Sequence, residues 1–284
     1  VVVTIDKKAV AESGMMLPLG PDSIPDKMII SLKDAAQRQG GLYRSDVMIY
    51  EMLAHANWKR PMYMSVTLGS GNYAGLENYL VLEGLAYRIT PFNYGQMGMI
   101  DTNLMYKNLM NRFKYGNMNR KGIYIDETVG RMCQTHRRMF YLLADNLLRR
   151  GEKAAALKVL EKQKAVLPEC NVPYTDDDAQ LSTLWLAAGN KKQAAEVAQK
   201  VLDYDLQYMN YLNSLGDKVN TYGRTCLYLV TSVMEALHTL EDTGSPKKAI
   251  YSKRVEQQAQ LPAFQVGYQS YMQRMQPQQG QEEE

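Results

Sequence analysis

The feature that most limits what this chain can fold into is a helical pattern that stops at a glycine twice in the same way. Residues 129–150 carry Met132, Met139, Phe140, Leu143, Leu147 and Leu148 at helical spacing, which predicts one long amphipathic helix with those residues on its buried side. Gly151 breaks it, a second helix is predicted over 153–167, and Pro168 ends that one. Thr175 then opens a helix that runs to Ala188, Gly189 breaks it, and another follows over 191–205. Gly151-Glu152-Lys153-Ala154-Ala155-Ala156 aligns with Gly189-Asn190-Lys191-Lys192-Gln193-Ala194. A repeated helix, glycine turn and helix can bury its apolar faces only by folding back on itself and stacking on its copy.

The residues around each turn fit the tetratricopeptide pattern. Phe140, Leu143, Ala144 and Leu147 supply large, large, small and large side chains before Gly151, and Ala156 and Leu160 sit where the next helix packs back. Leu181, Leu184, Trp185 and Ala188 precede Gly189, with Ala194 and Ala198 after it, a looser version of the same pattern. Tetratricopeptide-like hairpins and an ordinary helical bundle both satisfy this spacing. Two copies do not bury their faces, so helices over 221–240 and 246–260 are expected to stack on them as a capping pair.

The first part of the chain reads differently. Strand-like runs fall at 1–5, 27–32, 62–68 and 85–90, and Ser45 is expected to cap a helix through Trp58 that buries Val47, Ile49, Tyr50, Leu53 and Ala54. Residues 76–82 read as a helix, so a βαβ crossover is expected between the flanking strands. Asp101 caps a further helix carrying Leu104, Met105, Asn108, Leu109 and Phe113. The fold class is therefore α+β: a mixed α/β part over 1–127, an all-α tetratricopeptide-like part over 128–275, and a low-complexity, disordered tail over 276–284 ending in three glutamates.

Charge and composition remove several classes of function. A net charge of +3 with 22% charged residues lacks the concentrated basic face that a nucleic-acid binder needs. Cys133, Cys170 and Cys226 form neither a disulfide framework nor a zinc pattern. The most apolar stretch, 225–240, is interrupted by Thr231, Ser232, Glu235 and His238, so no membrane span is expected. The chain opens on Val1-Val2-Val3-Thr4-Ile5 without Met, which reads as a piece of something longer.

Four groups of residues invite a chemical reading. The loop Gly69-Ser70-Gly71-Asn72-Tyr73-Ala74-Gly75 follows a strand and precedes the expected helix, so Gly69, Gly71 and Gly75 are candidates for a phosphate loop. Its spacing lacks a following Lys-Ser/Thr, and a plain turn competes with that reading. Asp176-Asp177-Asp178 has an Asp-x-Asp spacing suited to a divalent metal, but carboxylates in a first helical turn also oppose the helix dipole. His136 lies one turn after Cys133, and with only His55 and His238 besides, no second ligand pair completes a metal site. No metal, cofactor or catalytic residue is assigned. Asn57-Trp58-Lys59-Arg60-Pro61-Met62-Tyr63 brings two cations and two aromatics to a helix end and a strand start. Arg60 is placed to hold a carboxylate, phosphate or sugar hydroxyl, and Trp58 to stack on a sugar face. Trp58, Lys59, Arg60 and Tyr63 are the candidate contact residues.

That last segment resembles a signature of large Bacteroidota membrane proteins, the domain-of-unknown-function 2723 family. The resemblance continues through Asn78-Tyr79-Leu80-Val81-Leu82-Glu83-Gly84-Leu85-Ala86-Tyr87-Arg88-Ile89, Asp101-Thr102-Asn103-Leu104-Met105-Tyr106, Phe113-Lys114-Tyr115-Gly116, Tyr124-Ile125-Asp126-Glu127-Thr128 and Asn171-Val172-Pro173-Tyr174. Members look like protein O-mannosyltransferases with a multi-spanning GT-C membrane domain. The resemblance implies that this chain is the C-terminal region following that domain, facing the periplasm and not itself catalytic. Its implied partners are the upstream membrane domain and an acceptor protein. Two other readings stay open: a free-standing tetratricopeptide-type interaction scaffold, and a soluble enzyme binding a phosphate ligand at the 69–75 loop.

Overall fold

The computed structural model describes residues 1–32, 41–69 and 72–275. They divide into two compact units, one over Val1–Lys114 and the other beginning at Tyr115. The division falls ahead of the 127/128 boundary suggested by the start of the long helix. The intervening loop belongs to the helical unit: the Tyr115 ring packs on Phe140, and the Asn171 amide donates to the carbonyls of Met118 and Arg120 at 2.8 Å each. The expected disordered tail, 276–284, lies outside the described residues.

The first unit combines two small sheets with short helices. Strands β1 (Val2–Thr4) and β2 (Lys27–Ile29) pair antiparallel with Val3 opposite Met28, and α1 (Lys7–Glu12) lies between them in sequence. Helix α2 (Arg44–His55) follows. Strands β3 (Tyr63–Ser65), β4 (Leu80–Leu82), β5 (Ala86–Ile89) and β6 (Met99–Ile100) form a second sheet in the order β3-β5-β4-β6. The β3/β5 and β4/β5 pairs are antiparallel and β4/β6 is parallel. Helix α3 (Thr102–Lys107), capped by the Asp101 carboxylate as expected, continues into a π-helical turn, Asn108–Arg112.

Three expectations fail here for physical reasons. Residues 76–82 are not a helix: the chain makes a three-residue 3-10 turn, Glu77–Tyr79, and enters β4. Leu80, Val81 and Leu82 are all buried, and a short run buried on both faces has no periodicity that separates strand from helix. The expected βαβ crossover is not formed, because β3 and β5 run antiparallel, with β4, a 3-10 turn and no α-helix among the described residues between them. Helix α2 starts at Arg44 rather than at a Ser45 cap. The buried Asp46 carboxylate accepts from the Tyr43 backbone N–H at 3.0 Å and closes that end. The helix buries Tyr50 and Leu53 but leaves Val47 and Ala54 exposed, and it ends before Trp58.

The second unit is helical: α4 (Glu127–Arg149), α5 (Lys153–Val166), α6 (Ala179–Ala187), α7 (Lys191–Ser214), α8 (Gly223–Asp242), α9 (Lys248–Ala259) and α10 (Pro262–Met275). The two glycine turns have the same construction. At the first, Gly151 N–H donates to Leu148 O and Glu152 N–H to Leu147 O; at the second, Gly189 N–H donates to Leu186 O and Asn190 N–H to Trp185 O. This pair of bonds is the Schellman closure, which needs a left-handed residue, and the two glycines have φ of +79° and +95°. Ala156 and Ala194 are fully buried just beyond the turns, where α5 returns on α4 and α7 on α6.

Other details differ from the pattern. Met132 is 58% exposed, and Cys133 and Arg137 take the buried stripe in its place. Helix α7 runs well past Asp205. Helix α8 packs chiefly on α6, α7 and α10, so the expected capping pair with 246–260 is largely replaced by a pair with α10. The α8/α10 crossing is close because Gly267 has no side chain: a Cβ there would lie 2.2 Å from the Cys226 carbonyl oxygen.

Candidate contact site around Trp58 and Arg60

Helix α2 ends at His55, and the two residues that leave it are left-handed: Asn57 with φ of +46° and Trp58 with φ of +59°. Left-handed backbone in a residue with a bulky side chain costs on the order of 1–3 kcal/mol, and the surrounding fold must hold it. Burial of the indole does so. Trp58 is only 6% exposed and packs in the core of the unit with Met15, Leu53, Met64 and Ile89. At 6% exposure Trp58 offers little of its ring to a sugar face in this structure.

The same turn sends Lys59 and Arg60 into solvent. Among the described residues Arg60 makes no ion pair, and Glu51, on the preceding helix, lies against His55. Tyr63 is 47% exposed and its hydroxyl donates to Glu83 Oε2 at 2.7 Å. Burial raises the phenol to about 12, and the hydrogen bond and charge of Glu83 add to this. The sequence-predicted contact residues thus separate: Lys59, Arg60 and half of Tyr63 face outward, while Trp58 is an anchor.

Beneath them lies a polar cluster that the sequence reading did not single out. Glu83 and Arg88 are both 5% exposed. Arg88 Nη1 is 3.6 Å from Glu83 Oε1, and Arg88 Nη2 donates to Ser13 O at 3.0 Å. The Glu83 carbonyl accepts from the Asn108 amide at 2.7 Å. Gly84, with φ of +146°, passes so close to Phe113 that a Cβ would lie 2.9 Å from its ring. The available signal was a charged residue at each end of an otherwise apolar hairpin, Glu83 and Arg88.

Two cavities open beside Trp58. One of about 490 Å³ is lined by Asp6, Lys8, Glu12, Ser13, Trp58 and Lys59. The other is narrow and is lined by Trp58, Arg60, Arg88 and apolar neighbours. Elsewhere in this unit, Tyr79, Phe92, Tyr94, Pro25 and Pro91 line an apolar groove of about 630 Å³.

The described residues of the candidate phosphate loop make turn contacts. Asn72 N–H donates to Gly69 O at 2.9 Å, and Gly75, with φ of +71°, passes so close to Ser31 that a Cβ would lie 3.0 Å from its carbonyl oxygen. Gly71 and Ser70 lie outside the described residues. The helix expected after the loop is the three-residue 3-10 turn, so the aligned backbone N–H groups of a helix start are not supplied. In the second unit, Asp178 serves packing rather than a metal. Its carboxylate accepts from Arg137 Nη1 at 2.8 Å and from the Tyr141 hydroxyl in the interior, and from the part-buried Thr175 N–H at 2.8 Å. His136 Nδ1 is bonded to the Met132 carbonyl, and Cys133 is buried, which pushes its thiol up. Among the described residues no cluster of three His, Cys, Asp or Glu side chains is arranged to hold a metal.

A protein-family model described as TMEM260-associated domain 2 matches residues 1–104. That segment is 104 of 284 residues and lies wholly in the first unit, with the 57–63 turn and the Glu83–Arg88 pair inside it. No curated protein and no solved structure matches the chain. Among the described residues no helix is long and apolar enough to cross a membrane.

Proposed function

We propose that this chain is the extracytoplasmic, periplasmic-side C-terminal region of a membrane-bound GT-C-type protein glycosyltransferase, related to the domain-of-unknown-function 2723 family. In this reading it is not itself catalytic and serves to brace the membrane domain or position the acceptor protein. The observation that carries the reading is the match of residues 1–104 to a domain described by its association with TMEM260. The motifs of the first unit support it: a strained turn presents Lys59 and Arg60 outward, as a contact surface requires. The second unit is proposed to be a tetratricopeptide-like array, supported by its two identical Schellman turns and the buried Ala156 and Ala194 beyond them.

The sequence upstream of Val1 tests this reading. Several apolar spans of about 20 residues each are expected there. A soluble domain or nothing at all upstream would sink the transferase reading and favour the free-standing interaction scaffold, for which the paired helical hairpins are the relevant feature. Purified chain is expected to transfer no sugar from lipid-linked or nucleotide donors. Turnover would contradict a non-catalytic role.

A further inference from the structure

We propose that the apolar groove beside β2 receives an extended segment of another protein, which adds to the sheet as a further strand. The register fixes which way β2 presents its backbone. Val1 and Ile30 exchange both backbone bonds at 2.9 Å, and Ile5 N–H donates to Asp26 O at 3.0 Å, so the bonded antiparallel pairs fall at 1–30, 3–28 and 5–26. Lys27 and Ile29 take the alternate positions, where N–H and C=O point away from β1. Among the described residues no strand pairs with β2 on that side. The Tyr79 hydroxyl donates to the outward Ile29 carbonyl. The Ile29 N–H and both backbone groups of Lys27 have no partner among the described residues.

The edge is open to a ligand. The groove of about 630 Å³ is lined by Lys27, Met28 and Ile29 and by the Tyr79 that bonds the outward carbonyl, so it runs along the unpaired side of β2. Lys27 is exposed, and Ile29 is 66% exposed. Leu19, 86% exposed, lines the groove with Pro25, Pro91, Phe92 and Tyr94. Outward N–H and C=O groups two residues apart match the backbone of an extended polypeptide, which a sugar or a lipid tail does not carry. A residue opposite Lys27 exchanges two bonds with it, and one opposite Ile29 accepts from its N–H. Three residues of edge keep the pairing local, while the apolar wall supplies side-chain contacts that so short a ladder lacks. Among the described residues lining the groove Lys27 alone is charged, which favours an acidic segment over a basic one. The inference deepens the acceptor-positioning role proposed above and rests on it only for taking the acceptor as the source of the segment.

The probe is a pool of blocked hexapeptides that alternate Val, Ile, Leu or Phe with Thr or Glu, titrated into the full chain and followed by ¹H–¹⁵N spectra. Saturable shifts at the Lys27 and Ile29 amides are expected, with both amides slowed in hydrogen exchange. Backbone N-methylation of a bound peptide is expected to weaken it about tenfold or more, because it removes the donors that meet the edge. Leu19→Ser, at an exposed loop position, is expected to weaken binding by a similar factor through the lost apolar contact. Ile29→Pro removes an N–H that faces away from β1, breaks no bond of the existing ladder and is expected to abolish binding. Should that variant fail to fold, the N-methylated peptides and Leu19→Ser still decide. No shift at Lys27 and Ile29 with any peptide, equal binding of the N-methylated forms, or unchanged affinity in Leu19→Ser would overturn the proposal. So would concentration-dependent dimerisation that shifts the same amides without peptide, which would give the edge to a second copy of the chain. None of these results touches the transferase reading, which the upstream sequence decides.

Discussion

The two units hold themselves together by different means. In the first, strands of two to four residues have too little surface to be stable alone. They are tied by side chains that reach backbone carbonyls far along the chain: Tyr50 to Ala74, Tyr79 to Ile29 and Arg88 to Ser13. In the second, helices of up to 24 residues bury continuous apolar stripes, and local glycine closures set the turns. Backbone strain follows the same division. Among the described non-glycine residues Asn57, Trp58 and Ala74 have positive φ in the first unit, against Asn117 in the second. A fold built from long-range polar ties can afford a strained, outward-facing turn; a helical stack has little use for one.

If this contrast is right, breaking an interior ion pair should hurt the helical unit most. Arg137 is wholly buried, donates to Asp178 and to the carbonyls of Val172 and Pro173, and lies over the Tyr174 ring. Arg137→Ala leaves the Asp178 carboxylate buried without its cation and is expected to cost about 3–5 kcal/mol in denaturant unfolding. A loss below about 1 kcal/mol would show that the 172–178 segment is held some other way. The close α8/α10 crossing comes next. Gly267→Ala forces a methyl against the Cys226 carbonyl and is expected to cost about 1–3 kcal/mol, and Ala156→Leu at the α4/α5 crossing a similar amount. Unchanged melting temperatures would refute both placements.

In the first unit a single polar tie is expected to matter less, because several share the load. Tyr79→Phe removes the hydroxyl bonded to Ile29 O and should cost about 1 kcal/mol. A cost of several kcal/mol would mean that one tie, rather than the network, holds β2.

A separate effect concerns pH. Asp205 is fully buried between Ser232, which donates to its Oδ2, and the neighbouring acids Asp176 and Asp178; its Oδ1 has no partner. Burial, then the charges of Asp176 and Asp178, push the carboxyl up to about 8, against the lowering effect of Ser232. The folded protein therefore keeps a proton that the unfolded chain, with a carboxyl near 3.8, releases. Stability is fullest below the unfolded value and falls as pH rises through about 8. Asp205→Asn should flatten part of that decline, so its melting temperature gains on wild type steadily from about pH 5 to pH 8. An equal difference at every pH would contradict the assignment.

What was legible in the sequence follows the same contrast. Gly151 and Gly189 announced their turns because the Schellman closure is local and needs glycine. The apolar stripe of α4 was largely visible, yet Arg137 occupies it where Met132 was expected, and a charge in a buried stripe is itself a readable sign of an interior partner. Asp205, among Val201, Leu202 and Leu206, carried the same sign. In the first unit the sequence located the 57–63 turn but not its interior. Trp58 looked like a stacking surface and is buried, since nothing local reveals that it joins Met15 and Ile89 in one core. Glu83 and Arg88 were visible only as part of a resembling motif, because their roles depend on Tyr63, Ser13 and Asn108 arriving from elsewhere. The helix expected over 76–82 failed for want of a periodicity that a doubly buried strand does not have.

The central claim is that the first unit's outward turn, rather than the helical stack, makes the contact that matters to the proposed membrane-bound transferase. Arg60→Ala in the proposed full-length transferase tests it most directly, with acceptor glycosylation measured beside the melting temperature of the isolated chain. The expected result is glycosylation reduced about tenfold or more, the range for losing a charged hydrogen bond, with the melting temperature unchanged. Normal glycosylation by that variant would contradict the claim.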